Sequence, residues 1–230
     1  SSRRNKPMKK ISISLLVALI VLTFVSLSSA AQIDIFGTGV DNSGALISSG
    51  AADSHYSLID PDGNGATAYA AGNGHSAWID ATGTAQWITP TGGSGDVAYG
   101  LWQYSIDFDL TGLDSSTVVI EGDWASDNDS KVFLNTVDTG LANSTPLDQD
   151  NFKKFSSFSL DSSYDFLDGL NTLTFKVNNA TTNDSPSGLI VDIRTATADA
   201  VAPVPEPSTF LLLGSGLAGL GFYARKRKKA

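Results

Sequence analysis

Two short acidic segments have the residue types and spacing of calcium ligands. The first, Asp60-Pro-Asp62-Gly-Asn64-Gly65, alternates short oxygen-bearing side chains and ends in a glycine that permits a sharp turn. An EF-hand also needs a glutamate six residues after Gly65, where this chain has Ala71, so the pattern argues against an EF-hand. The second segment is Asp127-Asn128-Asp129. Each segment is compatible with a loop calcium site or with a solvated turn.

The four tryptophans are candidates for stacking on sugar rings, because an indole has a flat, polarisable apolar face. Trp102 and Trp124 lie in alternating apolar patterns, which predicts that they belong to the core. Trp78 and Trp87 lie in shorter segments bounded by Gly and Thr, and these two are the predicted glycan contacts. They make a carbohydrate-binding module an alternative function.

The sequence offers little for catalysis. It has two histidines, His55 and His75, and no cysteine, so it lacks the parts for His/Cys metal sites and for Cys-His nucleophilic chemistry. No Gly-x-Ser-x-Gly elbow is present, and no pair of carboxylates is singled out for glycoside cleavage. We therefore predict no enzyme and no catalytic residue, with a polysaccharide hydrolase as the weaker alternative. His55, next to Tyr56, is predicted to be a hydrogen-bonded residue near a strand start.

Alternation of apolar and polar residues predicts a β-sheet domain. From Trp102 to Leu110 the even positions are apolar and the odd positions are polar, the period of a strand with one buried face. Gly- and Asp-rich turns separate such segments, and none has helical periodicity. The strongest strand candidates are 102–110, 118–124, 173–177 and 189–194, and the shorter ones are 56–59, 76–79, 86–88 and 132–135. The expected fold is an all-β antiparallel sandwich, with Trp102, Ile106, Phe108, Phe175 and Val191 buried.

The net charge of this domain limits the classes of partner that it can bind. Residues 32–204 contain five Lys and Arg against 23 Asp and Glu, a net charge of −18. Such a surface repels nucleic acid and anionic lipid at long range, so neither is a predicted partner. Divalent cations, neutral glycans and a hydrated matrix are more compatible with this acidic surface. Since the chain has no cysteine, no disulfide stabilises the domain.

The first 31 residues read as upstream residues followed by a secretory signal peptide. Met8-Lys9-Lys10 precedes an apolar stretch at 11–27 and the small residues Ser28-Ser29-Ala30-Ala31. This is the order of charge, apolar core and small residues that signal peptidase recognises. Cleavage is expected after Ala30 or Ala31, which leaves a β-sandwich domain at 32–200.

Residues 201–230 have the order of a C-terminal sorting signal. Val204-Pro205-Glu206-Pro207-Ser208 is followed by the uncharged stretch 209–224 and by five cationic residues, 225–229. The uncharged stretch is near the lower limit of about 17–25 residues for a transmembrane helix, and the cations behind it would stay in the cytoplasm. We predict a transmembrane helix with a basic tail. An ordinary tail anchor is the alternative.

This C-terminal order resembles the PEP-CTERM sorting signal, by which exosortases recognise surface-bound proteins of exopolysaccharide-making bacteria. The resemblance implies an exosortase as partner, in addition to signal peptidase. It further implies anchoring in the inner membrane before processing, and then a place at the cell surface or in the extracellular matrix.

The ectodomain resembles galactose-binding-like jelly rolls in segments such as Gly122-Asp-Trp124-Ala125-Ser-Asp127-Asn128. Further similar segments are 132–135, 155–158, 167–179 and 186–189. The segments 39–44, 53–58 and 108–113 resemble the N-terminal half of a domain common in PEP-CTERM proteins. The resemblance implies a jelly-roll fold, a surface role and no assigned catalysis. Thr136 stands where the related pattern continues Leu-Asn-Gly, which argues against a tight hairpin at this point.

The leading functional hypothesis is an exported, exosortase-sorted protein with a non-catalytic structural or adhesive role in biofilm or exopolysaccharide. A carbohydrate-binding module comes second and a polysaccharide hydrolase third. No cofactor is predicted apart from the calcium considered above.

Overall fold

The computed structural model describes residues 30–143, 150–180, 183–201 and 207–227. The chain divides into two units, and the unit Ser29–Val201 contains the β-strands. Nearly all of the predicted signal peptide lies outside the described residues, as do Val204, Pro205 and Glu206 of the sorting signal.

The described residues form thirteen strands, one 3-10 turn at Ser115–Thr117 and one helix, α1, at Pro207–Arg227. The strands are β1 (Ala30–Gln32), β2 (Ala52–Ile59), β3 (Gly65–Gly72), β4 (Trp87–Thr89), β5 (Asp96–Val97), β6 (Gly100–Asp109), β7 (Val119–Asp127), β8 (Asp129–Leu134), β9 (Val137–Asn143), β10 (Ser156–Leu160), β11 (Leu170–Asn179), β12 (Ser185–Pro186) and β13 (Gly188–Asp199). The order in the main sheet is β10-β7-β13-β4-β3-β2-β6-β11-β8-β9, with β1 also paired to β13. Strands β5 and β12 form a separate small sheet.

All of these pairings are antiparallel, so the expected all-β antiparallel class is confirmed. The arrangement fits a β-sandwich whose sheet is nearly closed. Its two edge strands come together where Ser156 Oγ, at the start of β10, donates to Asn143 Oδ1, at the end of β9, over 3.2 Å. Bringing the edges together reduces the exposed backbone groups on which another chain could add a strand.

The core follows the alternation in the sequence. Strands β6 and β11 pair over ten residues, from Asn179 opposite Gly100 to Leu170 opposite Asp109, and their inward side chains are buried on both. Trp124 and Phe158 lie edge to face at 5.9 Å, and Phe175 closes an aromatic trio with centroid distances of 6.2 and 6.4 Å. The predicted core residues are confirmed as buried: Trp102, Ile106, Phe108, Phe175, Val191.

A second apolar cluster covers the other face of β7 and β13. Trp78 and Trp87 pack there with Ala125 and Ile190. Because both faces of β13 are covered at this point, Leu189, Ile190 and Val191 are all fully buried. The strand predicted at 76–79 is wrong, because these residues form turns. Trp78 is placed there by tertiary packing instead.

The hairpin between β8 and β9 is tight in spite of Thr136. Leu134 pairs with Val137, so the loop has two residues, Asn135 and Thr136, with φ of +49° and +73°. Positive φ at both positions is the geometry of a type I′ turn, for which Asn-Gly is the preferred sequence. The expectation against a tight hairpin is therefore wrong, and a β-branched residue occupies a backbone conformation that favours glycine.

Replacing Thr136 by glycine is expected to raise the free energy of unfolding by about 1 kcal/mol, since glycine adopts positive φ without the penalty of a branched side chain. For a domain of this size the melting temperature should rise by about 2–4 °C. Thermal unfolding followed by circular dichroism measures it. Thr139→Gly is the matched control: the Thr139 hydroxyl donates to the carbonyl of Val132 over 2.7 Å, so this change should lower the melting temperature. Shifts of the same sign in both variants would contradict the argument.

Helix α1 carries Arg225, Lys226 and Arg227 in its last turn. Among the described residues, no helix combines the length and the apolar character required to cross a membrane. Four glycines interrupt the uncharged part of α1, at 214, 216, 219 and 221, and contribute no apolar side chain.

Candidate functional site

Trp78 and Trp87, the predicted glycan contacts, are buried in the second apolar cluster. Their rings are 4.3 Å apart, and their exposed fractions are 6% and 0%. The indole N–H of Trp87 donates to the carbonyl of Ile79 over 2.8 Å. Neither indole therefore has a free face for a sugar ring in this structure. Trp102 and Trp124 lie in the main core, as predicted.

Asp127 is joined to Trp78 at the edge of the same cluster. Its Oδ2 accepts the indole N–H of Trp78 over 2.7 Å, and its Oδ1 accepts an amide N–H of Asn128 over 2.6 Å. Burial raises the pKa of Asp127 to about 6, although the Trp78 hydrogen bond and the nearby His75 act in the opposite direction. Both carboxylate oxygens thus have partners within the protein.

The two predicted calcium segments lie on different elements, one between β2 and β3 and the other where β7 gives way to β8. Asp60 lies in the turn between β2 and β3, and its carboxylate accepts the backbone N–H groups of Asp62 and Asn64 over 3.0 and 2.7 Å. Asp129 instead accepts an amide N–H of Asn151 over 3.0 Å. In the described part of the chain, no group of three or more His, Cys, Asp or Glu is arranged to hold a metal ion. Calcium at Asp60, Asp62 and Asn64, or at Asp127 and Asp129, stays a prediction.

His55 lies in β2 and is hydrogen-bonded, as its position beside Tyr56 predicts. Its Nε2 is 2.9 Å from Asn42 Oδ1, and its ring stacks on Phe36 with centroids 4.1 Å apart. The backbone N–H of His55 donates to Asp53 Oδ1 over 2.8 Å. The carboxylate of Asp53 thereby fixes the start of the strand.

A cavity of ≈ 410 Å³ opens on the solvent-facing side of β6, β11 and β8, and no sequence pattern drew attention to it. Its main lining residues are Leu101, Asp129, Lys131, Phe133, Lys176 and Asn178. We call this set the lysine groove. The ammonium of Lys176 lies 4.1 Å from the centroid of Phe133, and Lys131 Nζ is 3.2 Å from Asp138 Oδ2. The groove combines two cations with apolar walls.

One sequence signal points to the lysine groove in retrospect. Two of the five cationic residues in 32–204 are Lys131 and Lys176. Lys176 occupies a polar position of the strand predicted at 173–177, and Lys131 directly precedes the strand predicted at 132–135. The strand register that brings them together is not visible in the sequence, because the two lysines are 45 positions apart.

The C-terminal segment is the part of the chain for which a comparison with known protein families found a match. Its described part is α1, which begins at the last proline of the Pro-Glu-Pro sequence and ends in a cationic turn. Residues 203–228 match the PEP-CTERM protein-sorting motif. The motif implies an exported protein, processed by an exosortase and sorted through membrane anchoring. No curated protein and no solved structure shows a significant match to the chain.

Proposed function

We propose that this chain is an exosortase-sorted protein of the cell surface or extracellular matrix, with a non-catalytic structural or adhesive role linked to exopolysaccharide or biofilm. The observation that carries the proposal is the PEP-CTERM motif at 203–228, which directly follows a β-rich domain. The acidic surface of that domain, with its net charge of −18, favours a highly hydrated protein.

The proposal includes steps at both ends of the chain. Residues 1–31 direct export and are removed by signal peptidase, and the tail then holds the protein at the inner membrane until the exosortase acts. The ectodomain is proposed to be a galactose-binding-like jelly roll, which its antiparallel sheet supports only at the level of fold class. A carbohydrate-binding module is the second candidate, favoured by the lysine groove.

The double variant Glu206→Ala, Pro207→Ala is expected to stop sorting. Glu206 carries the only charge of residues 204–208, and prolines keep such a segment extended for an enzyme cleft. If the exosortase binds the Glu206 carboxylate by a hydrogen bond, the loss of that bond is expected to slow processing about 10- to 100-fold. Cell fractionation with a tag after Lys229 should then find tagged full-length protein in the inner membrane.

The control is Val201→Ala, which changes an exposed residue just before the matched motif and keeps residues 203–228 intact, and it should be sorted like the parent. If the double variant loses its tail and reaches the surface at the parent's rate, the Pro-Glu-Pro sequence is not the recognition element. An ordinary tail-anchored protein would instead keep its tail in both the parent and the double variant.

A further inference from the structure

The two lysines of the groove face each other across neighbouring strands. In the register of β11 with β8, Lys176 is directly opposite Lys131. Like charges at directly opposed positions of a sheet are destabilising. The domain has only five cationic residues against 23 acidic ones, so opposite charges were amply available for this pair. A local arrangement that opposes stability without a structural gain is typical of a binding site.

Among the described residues, only one of the two cations forms a salt bridge, although the carboxylate of Asp138 interacts electrostatically with both lysines. Lys131 is paired with Asp138 on β9. For Lys176, no carboxylate among the described residues lies within salt-bridge distance, and its ammonium lies over the ring of Phe133. An anion placed between the two ammonium groups would relieve their repulsion and give Lys176 a partner.

The groove has the shape of a site for a small ring rather than for a peptide strand. Strand β11 is paired on both sides, with β6 and β8, and β8 is paired with β11 and β9, so neither offers a free edge for an added strand. The volume of ≈ 410 Å³ lies in the usual range of small-ligand sites, about 300–1,000 Å³. Leu101, which is 44% exposed, supplies an apolar wall, and Asp129 and Asn178 supply hydrogen-bonding groups beside it.

We propose that the lysine groove binds carboxylated sugar residues of an acidic polysaccharide. The carboxylate lies between Lys131 and Lys176, the apolar face of the sugar ring contacts Leu101, and the ring hydroxyls bond to Asp129 and Asn178. This inference rests on the proposed adhesive role and names the ligand class for it. The domain charge of −18 repels a polyanion at long range, but this repulsion is screened beyond about 8 Å at 0.15 M salt.

The test uses trigalacturonate as probe and its methyl ester as the uncharged match, titrated calorimetrically into the full chain in a nonionic detergent at 0.15 M salt. The acid should bind at least about 10-fold more tightly than the ester, since hydrogen bonds to charged groups are the stronger ones. Lys176→Gln should weaken binding of the acid about 10-fold or more and leave binding of the ester unchanged.

The control is Lys153→Gln, which removes an exposed lysine that pairs with Asp150 outside the groove, and it should bind like the parent. Because Lys176→Gln removes a like-charge contact, its melting temperature should equal or exceed that of the parent, which separates lost binding from lost folding. Equal affinity for acid and ester, equal affinity for acetate, or an equal loss in Lys153→Gln would each overturn the proposal. Absent binding with normal surface sorting rejects this ligand alone, whereas failure of the Glu206 test rejects the proposed function.

Discussion

Replacing Trp87 by alanine is expected to lower the free energy of unfolding by about 3–5 kcal/mol. The side chain is fully buried, packs 4.3 Å from the ring of Trp78 and donates a hydrogen bond to Ile79. Its removal leaves a cavity and an unpaired carbonyl in the cluster that covers β7 and β13. Since whole domains are stable by only about 5–15 kcal/mol, the loss is a large fraction of the total. Urea unfolding monitored by circular dichroism measures it.

Trp87→Phe is the matched control, because it keeps an aromatic ring in the cluster and loses only the indole N–H and some volume. Its loss should be clearly smaller than that of the alanine variant. If Trp87→Ala kept the parent's stability and instead lost binding on a glycan array, the indole would be a sugar platform after all. The hypothesis from sequence would then be right, and the buried position described above would be wrong.

Asp127 is expected to make the domain more stable in mild acid than at neutral pH. Burial raises the pKa of Asp127 from 3.8 to about 6, so the folded state favours the protonated carboxyl. The resulting stabilisation is fully present below the unfolded-state pKa and is lost as the pH rises through 6. Between pH 4.5 and pH 7 this group should reduce the free energy of unfolding by roughly 2 kcal/mol.

The pH dependence should be measured by urea unfolding at several pH values. Asp127→Asn removes the titrating group, so the change between pH 4.5 and pH 7 should shrink by about that amount relative to the parent. Ser187→Ala is the neighbouring control: its hydroxyl donates to the backbone carbonyl of Asp127 but carries no titrating group, so this variant should retain the parent's profile. If Asp127→Asn and the parent have parallel profiles, Asp127 does not titrate in this range and its carboxylate is ionised in the folded protein.

Exposed aspartates determine how the free energy of unfolding changes at acidic pH. Hydrogen bonds from Ser43 lower the pKa of Asp41, and the backbone N–H of Asn64 is the largest cause of the lowered pKa of Asp60. Groups of this kind stabilise the fold above their unfolded-state pKa and lose that contribution as the pH falls through the folded-state value. The stability maximum is therefore expected between about pH 4 and pH 6.

The sequence predicted the strands whose alternation is long and clean. Strand β6 is such a case, because one face is buried and the other is polar from Trp102 to Asp109. Strand β3 escaped prediction because Gly and Ala dominate its sequence, GATAYAAG, and give no periodic contrast. In β13, Leu189, Ile190 and Val191 are buried on both faces, so alternation does not mark the whole strand.

The candidate sites depend on contacts that no local pattern encodes. Trp78 is held in its turn by the hydrogen bond from its indole N–H to Asp127, 49 residues away, and by packing against the tilted ring of Trp87. The lysine groove likewise arises from the register of β8 with β11. By contrast, the sorting signal could be predicted from sequence, because its recognition depends on the order of residues along the chain rather than on a fold.

The position of β13 bears on how the domain would carry mechanical load in its proposed surface role. The chain leaves the domain at the end of β13, two residues beyond Asp199, so tension on the tail is applied along this strand. Ladder hydrogen bonds run perpendicular to their strands. A pull along β13 therefore shears its bonds to β7 together, instead of breaking them one at a time. The domain has no disulfides, so these ladder hydrogen bonds, loaded in parallel, resist the force at the point where the tail is attached.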